Sequence, residues 1–70
     1  MLKADGLKIQ LEMGRQKLTS RELADKSGVG HNTITNACKS RLVQPIFLGK
    51  IAETLGLDIA EIVEVEHESK

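Results

Sequence analysis

Aromatic side chains are almost absent: the 70-residue chain holds one phenylalanine and neither tyrosine nor tryptophan. That excludes the platform of stacked rings on which single-stranded nucleic acids are held. Cysteine occurs once, at Cys38, so no internal disulfide can form, and a reducing cytoplasmic setting is expected. No apolar run approaches the roughly 18 residues of a membrane span. The first ten residues, MLKADGLKIQ, lack the apolar core of a signal peptide. There is no phosphate-cradling glycine loop, no nucleophile–base pair and no ligand spacing for a metal. An enzyme is therefore not expected, and no cofactor.

Net charge is also lacking, with ten Lys/Arg against ten Asp/Glu. Taken alone, this disfavours a nucleic-acid partner, whose usual footprint is a pI above about 9. The distribution changes that reading. Residues 1–50 carry nine Lys/Arg and four Asp/Glu, whereas residues 51–70 carry one and six. A neutral total thus conceals a basic stretch of +5 and an acidic one of −5. Phosphate attraction depends on the local face within about a Debye length, not on the sum.

The length allows one domain, expected over residues 1–65 with a polar tail at 66–70. A chain this short buries only about 60% of the surface it exposes when unfolded, which favours oligomerisation. The apolar spacing predicts about five short helices. Asp5 is an N-cap for a first helix reaching Met13 or Gly14, with Leu7/Leu11 and Ile9/Met13 each four apart and both pairs expected to be covered. Thr19 and Glu22 form a capping box for a second helix over Ser20–Ser27. Leu18 and Leu23 sit at the positions of a hydrophobic staple. Gly28 supplies the left-handed stop.

A third helix starts near His31, with Gly30 as N-cap and Ile34, Ala37 and Cys38 facing inward. Lys39–Gln44 reads as a loop. Pro45 suits the first position of a fourth helix, in which Leu48, Ile51, Ala52 and Leu55 repeat at i, i+3, i+4, i+7 before Gly56. Asp58 and Glu61 repeat the capping-box spacing, with Leu57 and Ile62 as staple, for a short fifth helix. Only Ile62–Glu66 alternates as a strand would. The fold class expected is all-α, a compact bundle.

Leu18–Leu57 resembles the helix-turn-helix domain of lambda-repressor-like, Cro/CI-type regulators. The resemblance is carried by LT before the second helix, ELADKSGVG across the turn, TIT in the third helix and PIFLGKIAETLGLD through the fourth. Small single-domain regulators of phages and mobile elements have this size. Three positions depart from the pattern: Ser20 stands where Gln is usual, Cys38 where Glu is frequent and Ser40 where Gly is frequent.

The resemblance implies a sequence-specific regulator of double-stranded DNA, a repressor, whose third helix enters the major groove of an operator. It places His31, Asn32, Thr35 and Asn36 at base edges, where Asn can pair with adenine and Thr can offer a methyl to thymine. It places Ser20, Arg21, Thr33, Lys39 and Arg41 at phosphates, with Arg15 as a further candidate. A homodimer on two half-sites is expected, paired through the fourth and fifth helices. A competing reading is a protein-interaction module or the antitoxin of a toxin–antitoxin pair, binding its partner through helix five or an exposed Phe47. Cys38 reads as a small packing residue; a metal site from His31, Cys38 and His67 has no supporting spacing.

Overall fold

The expected boundaries of the second helix and the end of the fourth are fixed by local capping devices that the computed structural model shows in detail. The structure describes residues 1–64; the polar tail expected at 66–70 lies outside them. Helix α1 spans Gly6–Gln16, α2 Ser20–Ser27, α3 His31–Cys38 and α4 Pro45–Leu55. Asp5 caps α1 by accepting from the Lys8 N–H. The Thr19/Glu22 capping box is complete in both directions, at 3.1 and 2.9 Å. Gly28 and Gly56 take φ values of 74° and 77°, a region in which a Cβ is strained. The architecture is a helical bundle, as the periodicity predicts.

The fully buried apolar residues come from every helix: Ile9 from α1, Leu23 from α2, Ile34 and Ala37 from α3, Leu48 and Ile51 from α4. Leu55 and Ala52 complete the i, i+3, i+4, i+7 stripe of α4 at 4% and 2% exposure. A half-buried Leu18 packs against this core, and so fixes the angle at which the chain enters α2.

Four expectations are corrected. Helix α1 does not stop at Gly14. It runs to Gln16 and ends where Lys17 adopts a left-handed φ of 58°. The Leu18 N–H returns to the Met13 carbonyl at 2.9 Å, and the Gln16 side chain donates to the Leu55 carbonyl at 2.8 Å. The stop is thus set by docking onto α4 and by Leu18 reaching the core.

Leu7 and Leu11 are not covered; they are 68% and 58% exposed. Two residues along a helix is a rotation of about 200°, so the Leu7/Leu11 and Ile9/Met13 pairs cannot share one face. The second pair wins because it lies on the side of Gly6, where α1 meets the carbonyl of Cys38. A Cβ on Gly6 would collide with that oxygen.

The fifth helix is a single 3₁₀ turn, Ile59–Ile62, although its Asp58/Glu61 capping box forms. The chain then extends, because Val63 bridges Ala4 and the Glu64 N–H donates to the Lys3 carbonyl.

The Lys39–Gln44 segment is not wholly a loop. Its residues Leu42–Val43 (β2) pair antiparallel with Leu2–Lys3 (β1) in the register Leu2↔Val43, Lys3↔Leu42. The N-terminal segment is therefore held between β2 and the Ile62–Glu64 segment. Two-residue strands carry no alternation to read, and this minor sheet leaves the helical class unchanged. Of the alternating Ile62–Glu66, Ile62 belongs to the 3₁₀ turn, Val63 and Glu64 extend beside the N-terminal segment, and residues 65–66 lie outside the described residues.

Candidate nucleic-acid interface

Two short helices meet at a turn built from small residues. The Gly28 N–H closes α2 on the Ala24 carbonyl at 2.9 Å. Ser27 Oγ accepts from the Val29 N–H, and Val29 is 3% exposed. Ala24, 8% exposed, leaves room for α3 to pass close above it. Gly30 then begins α3 with no side-chain cap, so the first N–H groups of that helix remain open to a partner.

The outward face of α3 carries the residues expected at base edges. His31 and Asn32 are exposed at its start; Thr35 and Asn36 are half-buried one turn on. Thr33, also half-buried, lies on the opposite flank from Thr35. Among the described residues the two ion pairs are Lys3–Glu64 and Arg15–Glu12. Arg21, Lys39 and Arg41 are exposed and take part in neither. Arg15 is committed to Glu12 at 3.7 Å, which weakens its candidacy for an external anion.

The candidate residues divide between two hollows on either side of α3. Ser20, Thr35 and Lys39 line an open cleft of about 550 Å³ between α1, the start of α2 and the end of α3. Thr33 and Asn36 line a smaller groove of about 180 Å³ with Met1, Leu42, Gln44 and Phe47. His31, Asn32, Arg21 and Arg41 line neither. Phe47 is only partly exposed and packs on the core, so it is not the free contact expected of it.

Some rim residues were not visible in the sequence. Gln10 lines the larger cleft and donates to the Cys38 carbonyl at 2.8 Å. Gln44 lines the smaller groove. Both lie beside α3 only because α1 and the start of α4 pack there, and no local pattern signals it. Cys38 is half-buried, its Sγ 3.8 Å from Met13 Sδ; burial pushes its thiol above the usual range. His67 lies outside the described residues.

This arrangement, with an exposed polar helix set across a second one by a glycine-closed turn, defines a helix-turn-helix domain. The helix-turn-helix family model matches residues 7–62, and the chain belongs to the Cro/CI-type helix-turn-helix family. No curated protein sequence matches it significantly.

Among solved structures, the transcriptional regulator VanUg superposes with a TM-score of 0.75 over 96% of this chain and 89% of its own, at 24% identity. A Bacteroides fragilis protein, whose DNA binding is itself only a proposal, gives 0.68 at 26% identity. That match covers 91% of this chain and all of the other. HEPD of Streptomyces albus, solved with 2-hydroxyethylphosphonate and Fe(II), gives 0.72 at 26% identity. Here 87% of this chain matches, but it spans only 14% of that protein's length. No helix among the described residues is long and apolar enough to cross a membrane.

Proposed function

We propose that the protein is a sequence-specific, double-stranded DNA-binding transcription regulator that acts as a repressor, by occupying an operator, and not as an enzyme. The observation that carries this reading is the family match over residues 7–62, combined with an α3 whose uncapped start and polar face point outward. In this reading α3 enters the major groove. Asn32, free on the first turn, pairs with adenine; His31, Thr35 and Asn36 meet neighbouring base edges. Ser20, Arg21, Thr33, Lys39 and Arg41 hold phosphates on either side and set register without reading sequence.

Few base contacts come from one copy, so a homodimer on two half-sites about one helical turn apart completes the site. The α4 and 3₁₀-turn region is the proposed surface for that pairing. A cytoplasmic location follows from this role. The competing reading, a protein-interaction module or antitoxin, is favoured by the exposure of Met1, Leu42 and Ile46, at 70%, 59% and 61%.

The test is fluorescence anisotropy with DNA selected by the protein against random DNA, at several salt concentrations. A regulator binds the selected pool at least about 10³-fold more tightly, with affinity falling as salt rises. Asn32→Ala should relax the preference at one base pair by about 1–3 kcal/mol while leaving thermal stability unchanged. Equal, weak binding to both pools would overturn the reading in favour of a protein partner.

A further inference from the structure

The outer face of α4 carries a charge pattern that complements itself. At 3.6 residues per turn, Ile46, Gly49, Lys50 and Glu53 fall within an arc of about 100°, opposite the buried stripe of Leu48, Ile51, Ala52 and Leu55. Ile46 is 61% exposed. Lys50 and Glu53 are exposed one turn apart, yet among the described residues neither joins an ion pair. A lysine ahead of its glutamate is the weaker order for a pair within one helix. Gly49 stands inside the helix, where alanine is the more stable choice, and a Cβ there would meet nothing. The packing of this chain gives no reason for a glycine at that position; the close approach of a second helix does.

We propose that the protein pairs with a second copy of itself through parallel α4 helices, with Ile46 meeting its counterpart at the two-fold axis and Lys50 of each copy meeting the partner's Glu53. The charges set the direction. Lys50 and Glu53 lie on opposite sides of the line through Ile46. A two-fold axis along α4 therefore lays the lysine side of each copy on the glutamate side of the other, whereas an axis across the helices lays like on like. The same axis suits the DNA-binding reading above, on which the choice of partner rests. Gln44 and Phe47, at the head of α4, border the groove of Thr33 and Asn36, so parallel α4 helices present both copies of α3 at one end of the dimer. Exposed charge pairs add little affinity each; the dimer is weak alone and is strengthened where two half-sites hold both copies.

The experiment is sedimentation velocity on Lys50→Glu, on Glu53→Lys and on their equimolar mixture, beside the wild type, each alone and with the selected DNA. Matching thermal melts show that the folds compare. Each single variant should dimerise at least about tenfold more weakly than the wild type, because like charges then face each other twice. The mixture should recover wild-type dimerisation, since the glutamates of one variant meet the lysines of the other. Ile46→Cys should crosslink as a dimer on oxidation, as the wild type with Cys38 alone does not.

Single variants that dimerise as well as the wild type overturn the inference, and so does a wild type that stays monomeric at every concentration, alone and on DNA. Charge complementation without the Ile46→Cys crosslink overturns the parallel pairing. In each of these cases, selective DNA binding leaves the regulator reading standing. Complementation and crosslinking with no DNA sequence selected remove the regulator reading alone and leave the α4 pairing.

Discussion

Ser40 and Cys38, at the end of α3, show how single side chains are held beside the candidate interface. Ser40 tolerates its left-handed φ of 61° partly because its Oγ accepts from the Gly6 N–H at 2.9 Å, satisfying a donor at the start of α1. The left-handed region costs a non-glycine residue about 1–2 kcal/mol, and one such hydrogen bond contributes about as much. Ser40→Gly should therefore leave the melting temperature nearly unchanged, relieving strain and losing the bond together. Ser40→Ala keeps the strain and orphans the Gly6 N–H, and should cost about 1–2 kcal/mol in urea unfolding.

Cys38 is half-buried and its thiol titrates above the usual range. A raised pKa means less thiolate at neutral pH, and the thiolate is the nucleophile. Its alkylation by iodoacetamide at pH 7.5 should be slower than that of an unstructured cysteine peptide, with the gap closing in denaturant. Equal rates in the folded protein would show that the Cys38–Met13 contact does not shield the sulfur.

At the scale of the elements, the joint between α1 and α3 decides how α3 is supported. Gly6 lies directly against the Cys38 carbonyl, and Gln10 donates to the same oxygen at 2.8 Å. That carbonyl is at the end of α3, where intrahelical donors have run out, so α1 supplies the missing partner. Gly6→Ala forces the two helices apart, because its Cβ would meet backbone rather than a movable side chain. The cost expected is at least about 2 kcal/mol, read as a lower midpoint in urea. Gly14→Ala, with open space around its Cβ, should instead stabilise α1 by up to about 1 kcal/mol.

Over the whole molecule, the core and the outer face of α1 contribute separately to stability. The core runs through Ile9, Leu23, Ile34, Leu48, Ile51 and Ile62, all fully buried, whereas Leu7 and Leu11 stand on the outside of α1. Replacing Leu7 and Leu11 together by Lys should change stability by less than about 1 kcal/mol. Ile9→Ala, two positions away, should cost about 2–5 kcal/mol. Comparable losses in the two proteins would mean that Leu7 and Leu11 are covered in solution by another surface. The charge division strengthens the case for DNA at this scale, since the exposed cations Arg21, Lys39 and Arg41 come from the basic stretch of the chain, and the acidic excess begins only after α4.

The sequence by itself determined the parts whose causes are local. The Thr19/Glu22 and Asp58/Glu61 boxes, the Gly28 and Gly56 stops, Pro45 at the head of α4 and the buried stripe of α4 are each written within a few residues, because caps and helical periodicity act over one or two turns. The α2–turn–α3 unit was legible for the same reason, and with it the outward placement of His31 and Asn32. Only the tertiary structure decided which of two apolar pairs on α1 faces inward, since a Leu pair and an Ile/Met pair are equally hydrophobic until Gly6 finds the Cys38 carbonyl. Likewise it decided that Leu2–Lys3 pairs with Leu42–Val43, that Gln10 and Gln44 border α3, and that Arg41 folds back onto Asn36. Those arrangements depend on contacts between residues far apart in sequence or on a left-handed serine, and neither leaves a periodic trace along the chain.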